Sequence, residues 1–141
     1  MSESSSIISV RPARGADIRP LAELIEPFVQ RKLLLPRTID ELALLLPNYF
    51  VAEDAGKIIG CAALEIYSSK LAELRSLVVK PEYQGRGVGK RLVEACVTRA
   101  REEQILEVMA VTSSEEFFRS CGFDFTLPGE KKALFLQTRE S

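Results

Sequence analysis

The feature that most constrains this chain is a loop with three alternating glycines at residues 84–89, between a strand-like and a helix-like segment. Residues 77–79 before it are apolar and mostly β-branched, and apolar residues recur after it at helical spacing over 88–100. Glycine permits a positive φ and lets a ligand approach the backbone closely. Because amides at a helix start carry partial positive charge, the segment predicts an anion site, most naturally for phosphate or pyrophosphate.

Two well-known phosphate loops do not match these residues. A Walker loop would need glycine at position 84 and serine or threonine at position 91, where the chain has Gln84 and Arg91. The dinucleotide fingerprint would need its last glycine at position 90 or 92, where the chain has Lys90 and Leu92. The loop therefore belongs to neither of these two classes.

The absence of histidine from the 141 residues excludes several kinds of catalysis. A Ser-His-Asp or Cys-His unit, a histidine-containing zinc site and an imidazole base are all impossible, and we expect no metal. The 19 basic and 20 acidic side chains, with a net charge of −1, argue against a broad basic face for nucleic acid. The chemistry must use carboxylates, hydroxyls, thiols, amines, backbone groups or water.

The cysteines, the N-terminal residues and the apolar runs indicate where in the cell the protein is expected. Cys61, Cys96 and Cys121 are widely spaced, which indicates reduced and mostly buried thiols in a cytoplasmic protein. Residues 1–6 are predicted to form a disordered tail, since they resemble no signal peptide. No apolar run is long enough to cross a bilayer, so no membrane partner is expected. Residues 7–141 are predicted to form a single domain.

The order of periodic segments predicts an α/β (α+β) fold, with a mixed, mostly antiparallel sheet of six to seven strands flanked by about four helices. The alternation over residues 71–79 predicts Glu73, Arg75, Leu77 and Val79 on one face. The predicted strands are 7–11, 49–53, 58–67, 71–79, 105–111, 123–127 and 133–138, and the predicted helices are 18–29, 38–46, 88–100 and 115–119.

Two motifs together resemble the GNAT acetyltransferases. Residues 84–89 fit the Q/R-x-x-G-x-G loop with which that family holds the pyrophosphate of acetyl-CoA. Residues 117–123 fit its F-[YF]-x-x-x-G-F signature. Within the family, segments 34–42, 61–64 and 72–79 resemble the acetyltransferase domain of N-acetylglutamate synthases. The resemblance implies the GNAT fold and acetyl-CoA as cosubstrate.

The resemblance also implies where acetyl-CoA binds. The family splays the strand before the loop, so the backbone amide of Val78 or Val79 is expected to polarise the thioester carbonyl. The expected cofactor residues are Leu77, Val78, Val79, Gln84, Gly85, Arg86, Gly87, Val88, Gly89, Lys90 and Phe118.

Catalysis is expected to depend on a carboxylate. Glu73 is the candidate general base, acting through water as the family commonly does. The alternative for Glu73 is an ion pair with Arg75 or another cation. Many members of the family have a tyrosine in the second motif that acts as the general acid. This chain has phenylalanine there, so a serine is the candidate proton donor. Ser114 is that candidate, alongside Thr112 and Ser113, and its alternative role is a helix N-cap.

Three arginines match basic positions of the synthase domain and are the candidates for binding a substrate carboxylate: Arg37, Arg75 and Arg139. For Arg37 the alternative is a solvated surface charge. The predicted reaction is direct transfer, in a ternary complex, to the α-amine of glutamate or a similar acidic amino acid.

Two other functions stay open at this point. One is a GNAT enzyme for another small amine or a protein amine. The other is an inactive acetyl-CoA sensor or interaction module. Since GNAT proteins are often homodimers, a second copy of the chain is a further possible partner.

Overall fold

The computed structural model describes residues 7–125 and 134–138, and the predicted tail at 1–6 lies outside this range. Four helices flank one sheet, whose strand order follows the chain. Neighbouring strands are antiparallel except for the last pair, which is parallel. This mixed, mostly antiparallel architecture is the predicted one. The strands are β1 (Ile8–Pro12), β2 (Tyr49–Asp54), β3 (Lys57–Ile66), β4 (Leu71–Val79) and β5 (Glu107–Met109), and the helices are α1 (Ile18–Gln30), α2 (Ile39–Leu45), α3 (Val88–Glu102) and α4 (Glu115–Ser120).

The predicted count of six to seven strands is wrong for the described residues, which form five. Residues 123–125 and 134–138 fall in the two predicted closing strands but have no strand assignment. The side chains of Leu134 and Leu136 are 90% and 86% exposed. An apolar run becomes a strand only where a neighbouring strand pairs its backbone and a core covers one face. In the described part of these segments no strand pairing is present, and although Phe123 packs against the α3–α4 core, residues 134–138 are exposed.

Each face of the sheet is covered by two helices. On one face, α3 and α4 bury a core that includes Leu64, Leu92 and Phe118. On the other face, α1 and α2 bury a core that includes Leu21 and Tyr49. Burial of apolar side chains on both faces is the main force that holds the layers together. Within the described ranges, no helix has the length and apolar character needed to cross a bilayer.

The segment before α2 is anchored by a capping box. The Thr38 hydroxyl accepts the Glu41 amide at 3.1 Å, and the Glu41 carboxylate accepts the Thr38 amide at 2.8 Å. These two bonds satisfy amides that the helix itself leaves free. They also fix the point at which the loop that carries Arg37 ends and α2 begins.

A β-bulge interrupts β4 halfway along. Cys61 pairs with Val78, but Ala63 pairs with Arg75, so two residues of β4 face a single residue of β3. Ser76, inside the bulge, has φ +54°, in the left-handed region that non-glycine residues rarely adopt.

The bulge changes which side chains share a face. Leu77 and Val79 pack in the α3–α4 core with Leu74, whereas Val78 packs in the α1–α2 core. The predicted placement of Leu77 and Val79 on the face of Glu73 is therefore wrong. One inserted residue transfers every later side chain to the opposite face of the sheet.

Candidate active site

The glycine loop (residues 84–89) connects β4 to α3 and exposes backbone amides. Gly85 and Gly87 have φ +82° and +80°, which only glycine adopts without strain. Gly87 is the N-cap of α3, and no side chain caps that end. Because the first amides of a helix have no acceptor within it, those of residues 88–90 are available to an anion. This is the arrangement that the predicted pyrophosphate site requires, and anion binding itself stays a prediction.

Side chains of the loop hold it against the sheet. Gln84 Nε2 donates to the Val79 carbonyl at 3.0 Å. The Tyr83 hydroxyl donates to Asp54 Oδ2 at 2.5 Å, and the Arg86 guanidinium lies 5.0 Å from the Tyr83 ring centre. These contacts therefore hold the residues on both sides of the first glycine in place.

A cleft opens between β4 and β5, directly beside the glycine loop. The two strands pair over only three residues, of which Glu73 and Met109 are the last. Beyond that pair a cavity of about 830 Å³ separates residues 74–79 of β4 from residues 111–114. Within residues 7–125 and 134–138, the rest of β4 has no strand partner on this side, because the parallel pair stops after three residues. The splayed strand expected from the family resemblance is present.

Most predicted cofactor residues line this cleft. They are Leu77, Val78, Val79, Gln84, Gly85, Gly87, Val88, Gly89, Lys90 and Phe118. Arg86, stacked on Tyr83, is outside the lining. Of the predicted catalytic and substrate residues, Ser114 and Arg75 line the cleft, whereas Glu73 and Arg37 do not, and Arg139 falls outside the described residues.

Several lining residues were not predicted. Leu33 and Leu34 reach the cleft from the loop between α1 and α2, about forty residues before β4. Ser76 lines it because of the bulge. A hydrophobic loop residue carries no local signal of the surface it packs against, and nothing in residues 71–79 marks the position of a bulge. Only the tertiary structure brings them to the site.

The Ser114 hydroxyl does not cap the helix that follows it. Ser114 occupies the N-cap position of α4, but its side chain makes no capping hydrogen bond. Its amide instead donates to the Thr112 hydroxyl at 2.8 Å. Thr112, Ser113 and Ser114 all line the cleft, so hydroxyl groups are concentrated on the side opposite β4.

Five side chains form a polar cluster on the sheet: Arg37, Glu65, Tyr67, Glu73 and Arg75. Glu65 pairs with both arginines, at 3.3 Å from Arg37 Nη2 and 3.1 Å from Arg75 Nη1. The Tyr67 hydroxyl lies 2.6 Å from Glu73 Oε1 and 3.0 Å from Glu65 Oε2. The surface-charge alternative for Arg37 is therefore wrong, and the partner of Arg75 is Glu65 rather than Glu73.

The cluster perturbs the protonation of its members. Burial raises the pKa of Glu65, but the hydrogen bonds from Arg75 and Tyr67 and the charges of both arginines outweigh it, so the pKa is lowered overall. Burial and hydrogen bonds to Glu73 and Glu65 raise the pKa of Tyr67. At neutral pH Glu65 is therefore an anion and Tyr67 a neutral donor.

The buried thiols are unsuited to catalysis. Burial raises the pKa of Cys61 and of Cys96 to about 12, which leaves both as neutral thiols at physiological pH. Cys61 Sγ donates to the Ser76 carbonyl at 3.3 Å, which supports the bulge. Cys121 is half-buried. Across residues 7–125 and 134–138, no three His, Cys, Asp or Glu side chains come together as metal ligands.

Comparisons with known proteins agree with this geometry. The model of the acetyltransferase (GNAT) family matches residues 17–123. An uncharacterized N-acetyltransferase of Chlorobaculum tepidum is 35% identical over 81% of this chain and 74% of its own length. The amino-acid acetyltransferase of Mycobacterium tuberculosis is 33% identical over 81% of this chain and 67% of its own length.

Among solved structures, N-acetylglutamate synthase from Neisseria gonorrhoeae, complexed with coenzyme A and N-acetyl-glutamate, superposes with a TM-score of 0.79 at 30% identity. The match covers 91% of this chain but 31% of the synthase chain, so this chain corresponds to about a third of that protein. The splayed strand, the glycine loop and these matches lead to one conclusion: the chain belongs to the GNAT family and is an acetyl-CoA-dependent N-acetyltransferase.

Proposed function

We propose that this chain acetylates the α-amine of glutamate or a similar acidic amino acid by direct transfer in a ternary complex. The observation that carries the proposal is the placement of two guanidinium groups, those of Arg37 and Arg75, beside the splayed strand. Arginine offers a forked set of donors that suits a carboxylate. The name of the Mycobacterium relative and the N-acetyl-glutamate bound to the Neisseria synthase support an amino-acid acceptor.

The glycine-loop end of the cleft is proposed to hold acetyl-CoA, which supplies an activated acetyl thioester. The free amides at the start of α3 would take the pyrophosphate, with Lys90 adding positive charge. The backbone amide of Val78 or Val79 is proposed to donate to the thioester carbonyl oxygen, where negative charge develops. Positioning the two substrates in one cleft supplies much of the rate acceleration.

Glu73 is proposed as the general base that takes a proton, through water, from the substrate ammonium group. The Tyr67 hydroxyl, 2.6 Å away, holds the carboxylate in place. Ser114 is proposed to act as a proton relay: its hydroxyl gives a proton to the leaving thiolate and takes one from water, so the hydroxyl is restored. A thiol with an ordinary pKa of about 8.5 is a fair leaving group, so this acid contributes less than the base.

Acceptor assays test the substrate class. With acetyl-CoA as donor, kcat/KM is measured for glutamate, aspartate, glutamine and a lysine peptide. We expect the two acidic amino acids to give the highest values. Equal or higher values for the peptide would overturn the proposed acceptor, and CoA binding without turnover on any amine would identify an inactive sensor.

Glu73→Gln tests the base. Removing a general base should lower kcat by about 10²- to 10⁴-fold, while the Kd for CoA measured by calorimetry stays unchanged. The matched control is Glu94→Gln, an exposed carboxylate on α3, which should leave both values unaltered. A Glu73→Gln variant with normal kcat at every pH would remove Glu73 from this role.

A further inference from the structure

Glu65 occupies the groups that a substrate carboxylate would use. Its two oxygens are divided between the two arginines, Oε1 to Arg37 and Oε2 to Arg75. The Arg37 and Glu65 side chains are only 16% and 19% exposed, so water screens this pair weakly, whereas Arg75 is 35% exposed. In the described residues the arginines are thus already paired with an internal carboxylate.

Glu65 faces another carboxylate across the sheet, and the two arginines stabilise its anion there. It lies directly opposite Glu73 across the β3–β4 pair, and like charges facing each other on neighbouring strands are destabilising. The Tyr67 hydroxyl lies between the two carboxylates and offsets part of that repulsion.

Pairing with Glu65 offsets the positive charge of the arginines but leaves some of their hydrogen-bond donors unused. A guanidinium has five N–H donors, and each arginine uses a single nitrogen on Glu65. Donors therefore remain for an acceptor oxygen, whereas the positive charge is largely offset by Glu65. An amide oxygen and a carboxylate oxygen both accept such hydrogen bonds, but only the carboxylate gains from the charge.

We propose that Glu65 is a specificity-determining residue: by competing with the substrate carboxylate for Arg37 and Arg75, it reduces the preference for an acidic amino acid over its neutral amide. This inference rests on the proposed amino-acid acetyltransferase function. It predicts that the wild-type enzyme accepts glutamine alongside glutamate, and that the discrimination between them is limited by this internal carboxylate.

The test is Glu65→Gln, which keeps the side-chain shape and removes the charge. We expect kcat/KM for glutamate divided by that for glutamine to rise about tenfold, mainly through a lower KM for glutamate, because the charge of both arginines becomes available to the substrate carboxylate. A tenfold change corresponds to about 1.4 kcal/mol. The control is Glu53→Gln, the same change in an ion pair with Arg11 (2.8 Å) that is not part of the cleft lining. It should leave the ratio unchanged.

An unchanged or lower ratio in Glu65→Gln would overturn the proposal, as would an equal loss on both acceptors. Binding provides a second readout that needs no turnover. On the CoA-loaded protein, calorimetry with N-acetylglutamate and N-acetylglutamine should show the same tenfold gain for the charged ligand. A shift in binding without catalysis would contradict only the proposed function, and failure of both ligands to bind both wild type and variant would overturn the role of Glu65.

Discussion

The glycine loop lines the cleft and the polar cluster contributes Arg75 to it, but the two are built differently. The loop presents backbone amides, set by the φ angles of Gly85 and Gly87 within one short segment. The cluster presents side chains from three separate elements, held by ion pairs through Glu65. Binding by backbone amides weakens only when the backbone cannot adopt the required φ and ψ angles. Binding by charged side chains changes whenever one of the charges is removed or added. The cofactor end should therefore be sensitive to backbone strain and the acceptor end to electrostatics.

The largest expected effect that separates the two ends is that of Gly87→Ala. An L-residue in the left-handed region costs about 1–2 kcal/mol, so the helix start should shift and the Kd for CoA should rise about thirtyfold. KM for the amino acid should change little. Calorimetry for CoA and steady-state kinetics at saturating acetyl-CoA measure the two quantities.

The matched control for this change is Gly56→Ala, in the turn between β2 and β3. Gly56 has φ +83°, and an added Cβ would meet nothing within 4 Å at either glycine. Both variants should lose similar stability in urea unfolding. If Gly56→Ala weakens CoA binding as much as Gly87→Ala does, strain at the loop is not the cause.

A smaller effect, at the other end, is expected for Arg37→Gln. Losing one of two guanidinium groups should raise KM for glutamate about tenfold while the Kd for CoA stays constant. Arg31→Gln is the control, because Arg31 lies on the Phe28 ring at 5.3 Å and has no place in the polar cluster. Weaker CoA binding in Arg37→Gln would mean that the two ends are not independent.

The smallest effect is expected for Thr38→Ala, which removes the N-cap of α2 next to Arg37. Loss of such a cap costs about 1 kcal/mol of stability, and the loosened loop should raise KM for glutamate only about threefold. Chemical denaturation and kinetics measure the two changes. A full tenfold rise in KM would show that the loop, more than the guanidinium itself, organises the acceptor end.

Prediction from the sequence succeeded where the determinant was local. The order of strands and helices through α4 follows the periodicity of apolar residues. Residues 123–125 and 134–138, which were predicted to lie in closing strands, have no strand assignment, because a strand depends on a neighbour that its own residues do not specify. The bulge in β4 escaped prediction for a similar reason: it is visible only in the register against β3.

By itself, the sequence determined the conformation of the glycine loop and excluded imidazole chemistry. Alternating glycines before an amphipathic helix set backbone angles and free amides within six residues, and a missing residue type is a property of composition alone. The tertiary structure decided how the arginines are used. Arg37 and Glu65 are 28 positions apart and meet only because the loop before α2 packs against β3. Pairing between distant charges depends on the packing of whole elements, which no local pattern encodes.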